Sequence, residues 1–290
     1  MARELEAVLD TGRVLARASA ENFPVSSRLL PRAVRADLVA VYGFARLVDD
    51  VGDEAPGDRV ALLDWLGAQV DRIFAADDPS SLHPLMARLA RTVQTKALPR
   101  DPFDQLIEAN RQDQVVHRYQ TFEELLRYCE LSANPVGRLV LSLLADVTPQ
   151  RIAWSDAICT GLQLTEHWQD VAEDADRGRI YLPAEDLDRF GVPVTDLTGS
   201  RPTPSFRRLM AFECERARAL LDAGLPLVGD LPGRAALAIA AFVSGGRAAL
   251  AAIATVRYDV LSAAPRPTRR MRASAMARTL IEAGPFRRQR

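Results

Sequence analysis

The sequence predicts an all-α protein of one domain, residues 1–290. Three observations lead to this fold class. Apolar residues recur with the helical period along most of the chain, and no segment shows the alternation that is typical of a strand ladder. Helix start signals separate the periodic segments. No linker or low-complexity tract divides the chain, so we expect a single helical domain built around a central cavity rather than two small domains.

The start signals are specific residue combinations. Thr121 is followed three residues later by Glu124, which is a capping box. A threonine precedes Pro149, and proline is well suited to the first position of a helix because its missing N–H is not needed there. The same device recurs at Pro204 and Pro232. Each combination predicts that a helix begins at that point.

Periodicity and start signals together predict about ten helices. The segment 177–203 is the longest connector, because it contains several prolines and glycines. The predicted helices lie near 4–20, 33–52, 58–76, 82–96, 102–117, 122–145, 149–176, 204–223, 232–261 and 269–282.

Composition is typical of a globular protein without a disulfide framework. Hydrophobic residues make up 48% and charged residues 26% of the chain. The three cysteines are widely separated and form neither a disulfide nor a zinc pattern, so a reducing cytosol is expected. The N-terminus lacks the uninterrupted apolar core of a secretory signal. The most apolar stretch, 235–256, is interrupted by Arg247, which favours a buried core helix over membrane contact.

Charge is distributed unevenly along the chain. The formal net charge is −1, yet residues 266–290 carry eight arginines and one acid, Glu282. This local charge of +7 leaves −8 for the rest. Such a basic tail can touch anionic lipid, or it can be a solvated, flexible end of the chain. Both interpretations stay open from the sequence.

Two pairs of aspartates are the main functional signal. In "YGFARLVDDVGDE", Asp49 and Asp53 are four residues apart and therefore share one face of a helix. In "LQLTEHWQDVAEDADRGRIYLP", Asp170 and Asp174 repeat this spacing, and Glu166 lies one turn earlier. Like charges at this spacing repel. A bridging divalent cation would turn each repulsive pair into a binding site.

The ligand types favour Mg²⁺. It accepts a few hard oxygen ligands, keeps bound waters and takes phosphate oxygens from a substrate. Arg46, Arg177 and Arg179 lie near the acid pairs, and guanidinium groups fit phosphate oxygens. A di-iron site would need Glu-x-x-His motifs, and none of the three histidines has a glutamate three residues before it. Of these, His167 is interpreted as local packing or as substrate lining.

Asp-rich helices that face each other suit the ionisation of an allylic diphosphate. Mg²⁺ neutralises the leaving diphosphate, and the resulting carbocation needs a pocket that excludes bulk water. Aromatic faces stabilise a cation. Five aromatic residues lie near the motifs in sequence: Tyr42, Phe44, Tyr128, Trp168 and Tyr181.

At these motifs the chain resembles the squalene/phytoene synthase family, whose members join prenyl diphosphates head to head. The resemblance covers about 20 to 262, and the order and spacing of the motifs match. The middle motif is "YCELSANPVG". Three further segments look like those of the bacterial hydroxysqualene synthases within the family: "ENFPVSSRLLP", "SANPVGRLVL" and "GRIYLP". This likeness implies conversion of presqualene diphosphate and water into hydroxysqualene and diphosphate in squalene or hopanoid biosynthesis, without nicotinamide.

The resemblance also implies roles for individual residues. The catalytic set would be Tyr42, Arg46, Asp49, Asp53, Asp170 and Asp174. The four aspartates would hold Mg²⁺, or Mn²⁺, and through it the diphosphate. The residues that would bind substrate are Phe23, Arg46, Tyr128, Gln163, Arg179 and Tyr181, with the two arginines on diphosphate oxygens and the others along the prenyl cavity. The acids Asp50, Glu54, Glu173 and Asp176 are interpreted as solvated or supporting.

Glu166 departs from the family pattern, because many relatives have asparagine at this position. A glutamate adds charge and could ligate the metal or hold a water, and a changed ligand could also signal altered activity. By the resemblance, the expected partners are a prenyl diphosphate, the inner face of the membrane and other squalene-pathway enzymes, with no nucleic acid. The expected location is the cytoplasm.

Two alternative functions stay open. The chain could be another head-to-head synthase that makes presqualene diphosphate, dehydrosqualene or phytoene, since cavity length and water access decide the product. It could also be a non-catalytic member of the family that serves as a binding module. A module has no reason to keep both acid pairs, and their presence argues against it.

Overall fold

The structure is a computed structural model that describes residues 32–76, 78, 82–199 and 201–284. The predicted helix near 4–20 and the predicted substrate residue Phe23 lie outside these residues. Within them, the predicted all-α class is confirmed. The regular structure there is helical, apart from one isolated parallel bridge between Arg118 and Ile180.

The helices are numbered in chain order, and one 3₁₀ helix (Val194–Thr198) follows α9. The α-helices of the described residues are α1 (Arg32–Asp53), α2 (Arg59–Phe74), α3 (Pro84–Lys96), α4 (Asp101–Gln112), α5 (Phe122–Ser132), α6 (Asn134–Leu144), α7 (Pro149–Gln169), α8 (Val171–Asp176), α9 (Ala184–Phe190), α10 (Pro204–Gly224), α11 (Pro226–Asp230), α12 (Gly233–Thr255) and α13 (Arg269–Ala283).

The described residues fall into two compact units. The first unit contains residues up to Val115 together with Leu131–Ile152. Helix α1 lies at its centre and packs against α2, α3, α4 and α6. Phe44 of α1 meets Phe103 of α4 edge to face at 5.2 Å. Such aromatic pairs add about 0.5–1.5 kcal/mol to the stabilisation from burial alone.

Among the described residues, the second unit contains Val116–Glu130 and those from Ala153 onward. Helix α12 packs against α10, α11 and α13. It is long and apolar enough to cross a membrane, but 67% of its apolar window is buried within the structure. Arg247 in this helix donates hydrogen bonds to Asp222 of α10 and to Glu282 of α13. Burial and these ion pairs agree with the core helix that the sequence favoured.

The predicted helix starts agree with the capping contacts. Thr121 Oγ1 accepts a hydrogen bond from the Glu124 N–H at 3.2 Å. The Glu124 carboxylate accepts one from the Gln120 N–H at 2.7 Å, one residue earlier than in the usual capping box. Helix α10 begins at Pro204 as predicted. Pro232, however, precedes its helix as the N-cap, because α12 begins at Gly233.

Several predicted helices end early or break. The segment 122–145 divides at Ala133, because Pro135 has no N–H to donate to the carbonyl one turn earlier. The segment 149–176 divides at Asp170. The segment 102–117 ends at Gln112. Helix α12 ends at Thr255, short of the predicted 261, where Arg257 and Tyr258 adopt positive φ angles of 54° and 61°.

The predicted connector 177–203 contains a helix that the sequence interpretation missed. Helix α9 follows Pro183 and ends before Gly191, whose φ angle of 63° is the left-handed cap that glycine supplies. The Asp186 carboxylate of α9 pairs with Arg216 of α10 at 2.5 Å. This tertiary contact, rather than a long apolar pattern, holds the short helix.

Candidate active site

The first acid pair lies at the C-terminal end of α1. This helix buries Leu47, Val48 and Val51 completely. The opposite side of the same turns leaves Asp49 and Asp53 exposed, one helical turn apart. The local apolar pattern therefore directs both carboxylates away from the core of the first unit.

Asp49 is accessible to water, yet its surroundings disfavour its charge. Desolvation raises the pKa of Asp49 to about 7, against the opposing effects of a hydrogen bond from Asn110 and the charge of Arg46. The Asn110 Nδ2 group donates to the Asp49 carboxylate at 3.3 Å. Gly52 permits this approach, because a Cβ atom there would lie 2.0 Å from Asn110 Oδ1. A nearby cation would reverse the desolvation effect and favour the carboxylate form.

Arg46 is held in place by Asp50. Its Nε and Nη2 atoms both lie 2.8 Å from Asp50 Oδ1. Asp50 is only 5% exposed, so the interpretation of this acid as solvated is wrong. Arg46 lies one turn after Tyr42 and one turn before Asp50 on α1. The buried acid fixes the guanidinium near the first acid pair.

The second acid pair straddles the break between α7 and α8. The Asp170 N–H donates to the Glu166 carbonyl at 3.0 Å, and the Asp174 N–H donates to the Asp170 carbonyl at 2.8 Å. Helical hydrogen bonds thus continue past the break, although the ψ angle of Asp170 is 17°. The spacing expected from the sequence is kept, with a bend at its first aspartate.

The charge of Asp170 is also disfavoured. Desolvation is the largest cause and the repulsion from Asp174 and Glu173 adds to it, while His167 and Arg266 act in the opposite direction. Together these effects raise the pKa of Asp170 to about 6. Each acid pair therefore contains one aspartate that is hard to ionise without a cation.

An aromatic cluster lies beside the second acid pair. The His167 ring stacks on Tyr181 at 3.6 Å, and the Tyr128 ring lies 5.9 Å from Tyr181. Tyr119 completes the cluster at 5.4 Å from Tyr128. The Gln163 amide lies 3.1 Å from His167 Nε2. The predicted residues Tyr128, Gln163 and Tyr181 are thus brought together around a histidine.

The backbone around Arg179 places this residue and Tyr181. The Arg179 N–H donates to the Asp174 carbonyl at 2.8 Å. The next N–H, of Ile180, donates to the His117 carbonyl at 2.8 Å. The backbone at Arg179 and Ile180 is therefore hydrogen-bonded both to Asp174 of the acid pair and to His117, which precedes α5.

A small cavity lies among polar groups at this point. Its volume is about 10 Å³, and its lining includes His167, Asp174 and Arg179. His167 Nδ1 lies 3.9 Å from Asp174 Oδ2, too far for a direct hydrogen bond. The volume and the three polar groups suit one bridging water.

The end of α7 is anchored by two side chains that precede the acid pair. Trp168 Nε1 donates to the Glu213 carbonyl at 3.1 Å. Gln169 Nε2 donates to the Pro265 carbonyl at 2.5 Å. Both side chains are buried. These contacts fix the direction of the helix just before Asp170.

The structure thus forms two groups of predicted site residues. In the first unit, α1 carries Tyr42, Arg46, Asp49 and Asp53. In the second unit, Asp174 and Arg179 join the aromatic cluster, and Glu166 lies one turn before Asp170. The sequence interpretation missed Asn110 and Tyr119. A polar residue on the apolar face of α4 was the available signal for Asn110, and no local pattern marks Tyr119.

A protein-only metal cage is absent from the described part of the chain. No group of three or more His, Cys, Asp or Glu side chains there is arranged to hold a metal ion. Each aspartate pair offers two carboxylates, so a cation bound there needs further ligands. Mg²⁺ fits this donor set, because it commonly uses one or two carboxylates together with waters and substrate phosphates.

A helical fold with two acid pairs defines a protein of the terpenoid synthase class. The chain belongs to the squalene/phytoene synthase family, because the sequence model of that family matches residues 16–274. The family predicted from the motifs is confirmed. So is the enzyme class, a synthase that uses prenyl diphosphates.

Known relatives carry different product names. The chain is 35% identical to a phytoene synthase of Mycobacterium bovis over 255 residues, which is 86% of this chain and 83% of the relative. It is 32% identical to a hydroxysqualene synthase of Rhodopseudomonas palustris over 214 residues, 73% of this chain and 71% of the relative. These likenesses establish a head-to-head prenyl synthase family without selecting one product.

A solved structure gives a further comparison. The squalene synthase HpnC of Alicyclobacillus acidocaldarius is 42% identical, with a TM-score of 0.79 over 91% of this chain and 97% of that one. A dehydrosqualene synthase reaches a TM-score of 0.84 over 98% of this chain and 99% of that one, at 22% identity. The second likeness concerns the fold alone.

Proposed function

We propose that the chain is a hydroxysqualene synthase that acts on presqualene diphosphate in squalene or hopanoid biosynthesis. The observation that carries this proposal is the 42% identity to the squalene synthase HpnC of A. acidocaldarius over 91% of the chain. The named relatives do not separate the products, because the hydroxysqualene synthase of R. palustris is 32% identical and the phytoene synthase of M. bovis is 35% identical. Both acid pairs that diphosphate chemistry needs are present in the sequence.

The carboxylates have the role of holding Mg²⁺, or Mn²⁺, with the substrate diphosphate. The residues in this role are Asp49, Asp53, Glu166, Asp170 and Asp174. When bound, the metal neutralises charge that develops on the diphosphate as it leaves. The raised pKa values of Asp49 and Asp170 support this role, since a charge that is costly alone becomes favourable beside a cation.

Two arginines bind the diphosphate oxygens directly. Arg46 is preorganised by the buried Asp50, and Arg179 is placed by its backbone hydrogen bond to Asp174. Guanidinium groups supply paired donors that match phosphate oxygens. Tyr42 lies one turn before Arg46 and shares its side of α1. Fixed donors stabilise the leaving group without having to reorganise during the reaction.

The aromatic cluster has the role of enclosing the prenyl chain and its cation. Tyr128 and Tyr181 present ring faces that stabilise positive charge, and Gln163 and Phe23 extend the wall. Presqualene diphosphate breaks its C–O bond to give diphosphate and a cyclopropylcarbinyl cation, which rearranges. One water adds through its oxygen and loses a proton, so the products are hydroxysqualene, diphosphate and one proton. No hydride donor is required, and we propose no nicotinamide.

A second candidate is a head-to-head synthase with a hydrocarbon or cyclopropyl product. The named phytoene synthases among the relatives favour it. The product depends on the length of the cavity and on access for one water. This candidate uses the same acid pairs, so only product analysis separates the two.

Product analysis with two substrates tests the proposal. The protein is incubated with presqualene diphosphate or with farnesyl diphosphate in ¹⁸O-labelled water, and products are identified by mass spectrometry. The proposal predicts labelled hydroxysqualene from presqualene diphosphate. Conversion of farnesyl diphosphate alone to a cyclopropyl diphosphate, or of a prenyl diphosphate to phytoene or dehydrosqualene, would refute it. No turnover together with metal-independent analogue binding would favour a non-catalytic module.

The proposed location follows from the substrate. Presqualene diphosphate combines a charged head with a long apolar chain, so a cytoplasmic enzyme at the inner face of the membrane can take it from lipid. The basic end of the chain supports contact with anionic lipid. Enzymes that make presqualene diphosphate or consume hydroxysqualene are the proposed pathway partners.

A further inference from the structure

A groove on the second unit is lined by none of the site residues that the structure describes. Its volume is about 470 Å³, and residues of α10, α12 and α13 line it. Its charged lining residues are Arg218, Asp222, Arg247, Arg270, Arg278 and Glu282. Four of these six are arginines.

One arginine bridges the two acids of the groove. The Arg247 side chain is only 11% exposed, and it donates to Asp222 at 3.1 Å and to Glu282 at 2.7 Å. It also donates to the buried Thr279 hydroxyl at 3.2 Å. Arg247 therefore joins α10, α12 and α13, and the four arginines and two acids of the groove leave it a formal charge of +2.

The remaining arginines of the groove carry excess positive charge. Arg218 has one long contact, 3.4 Å, with the exposed Glu215. Across the described ranges, neither Arg270 nor Arg278 has an ion pair with a carboxylate. Arg270 and Arg278 are eight residues apart and lie on one side of α13, opposite Arg218 of α10. Guanidinium groups on both walls of the groove can therefore bind one anion between them.

The rest of α13 adds charge and one apolar side chain. Arg269 and Arg272 are exposed. Ile281, three residues after Arg278 and on the same side of the helix, is 80% exposed. A cationic helix with an exposed apolar residue is the chemistry that binds the surface of an anionic bilayer.

We propose that this groove and the exposed side of α13 dock on anionic phospholipid, with a headgroup phosphate among Arg218, Arg270 and Arg278. Guanidinium forks match phosphate oxygens, and Ile281 enters the headgroup layer. The choice of a membrane as the partner rests on the proposed function, whose substrate resides in lipid. The groove specifies which surface of the protein contacts the membrane and which chemical group of the lipid it binds.

Vesicle binding tests the docking surface. The full chain is sedimented with vesicles of phosphatidylcholine alone or mixed with phosphatidylglycerol, as wild type and as the R270Q/R278Q double variant. We expect binding only to the anionic vesicles, and about a 25-fold lower partition coefficient for the variant, since each arginine near such a surface contributes about a fivefold factor. The charge-matched control R91Q/R127Q, at exposed arginines outside the groove, should bind like the wild type.

Three outcomes would overturn the docking proposal. The first is equal partitioning of the wild type onto neutral and anionic vesicles. The second is an equal loss of vesicle binding in both double variants. The third is tight binding of inorganic phosphate in the groove by a chain that does not bind vesicles. The last would assign the groove to a free phosphate. Turnover of detergent-dispersed presqualene diphosphate should be unchanged in R270Q/R278Q. If R270Q/R278Q loses vesicle binding and keeps turnover, the docking surface is separate from the catalytic site. If the wild type shows no turnover, the proposed catalytic function is refuted and the docking proposal is not.

Discussion

Asp49 and Asp170 each occupy a position where an isolated carboxylate is disfavoured. Desolvation is the main cause at both, and repulsion from neighbouring acids adds to it. An enzyme gains from such placement when a cation arrives, because the low-dielectric surroundings that penalise a lone charge strengthen an ion pair. The two residues are therefore the most informative probes of metal binding.

Metal affinity should depend on pH through these two aspartates. Their pKa values are raised to about 7 and about 6, and a metal ligand must be deprotonated. Protons therefore compete with Mg²⁺ at low pH, and affinity should rise as pH increases through these values. Calorimetric titration of Mg²⁺ with diphosphate present, over a pH series, measures this. An affinity that stays constant across that range would contradict the roles given to both residues.

Glu166 offers a direct test of the second acid motif. If it ligates Mg²⁺, then Glu166→Asn should lower metal affinity, by about tenfold on the scale of changes at ligand-supporting positions, and raise the Mg²⁺ concentration needed for turnover. Glu215→Asn is the matched control, because Glu215 is exposed and lies on α10, outside both acid pairs. Unchanged Mg²⁺ dependence and product in Glu166→Asn would remove Glu166 from the mechanism.

At the scale of helices, the sequence predicted the features that depend on a few neighbouring residues. The Thr–Pro and Thr-x-x-Glu signals placed helix starts, and the four-residue spacing placed each acid pair on one helical face. The break at Asp170 was not predictable, because its neighbours Trp168 and Gln169 are anchored to residues 45 and 96 positions away. Helix α9 was missed for a similar reason, since Arg216 on another helix holds it.

The packing of α7 against α10 depends on a glycine. A Cβ atom at Gly224 would lie 2.6 Å from the Trp154 carbonyl oxygen and 2.4 Å from the Ile158 side chain. Gly224→Ala should therefore destabilise the protein by about 1–3 kcal/mol. Gly43→Ala is the control, because no atom of the described residues lies within 4 Å of its added Cβ, and alanine in a helix should stabilise by about 0.5–1 kcal/mol. Urea unfolding measures both, and equal stability of Gly224→Ala and the wild type would refute the packing argument.

At the scale of the whole molecule, a buried acid should link folding stability to pH. Glu213 is fully buried. Desolvation raises its pKa from 4.5 to about 8; the charge of Arg216 opposes this shift, and that of Asp186 adds to it. The folded protein thus holds a proton that the unfolded chain releases near 4.5. The stability that this proton contributes is lost as pH rises from about 4.5 to about 8.

Unfolding in urea over a pH series tests this linkage. The free energy of unfolding of the wild type should fall as pH rises through the window set by the two pKa values. Glu213→Gln, which stays neutral, should show a smaller fall. Glu215→Gln on the same helix is the control, because Glu215 is exposed. Parallel pH profiles for the wild type and Glu213→Gln would show that Glu213 does not titrate on unfolding.

The proposed function assigns both acid pairs to the binding of one diphosphate. Binding of a non-hydrolysable prenyl diphosphate analogue, with and without Mg²⁺, tests this most directly in the wild type, Asp53→Asn and Asp174→Asn. We predict metal-dependent binding that weakens by about tenfold or more in each variant, since each loses one charged ligand. Metal-independent binding, or full affinity when either pair is altered, would contradict the account.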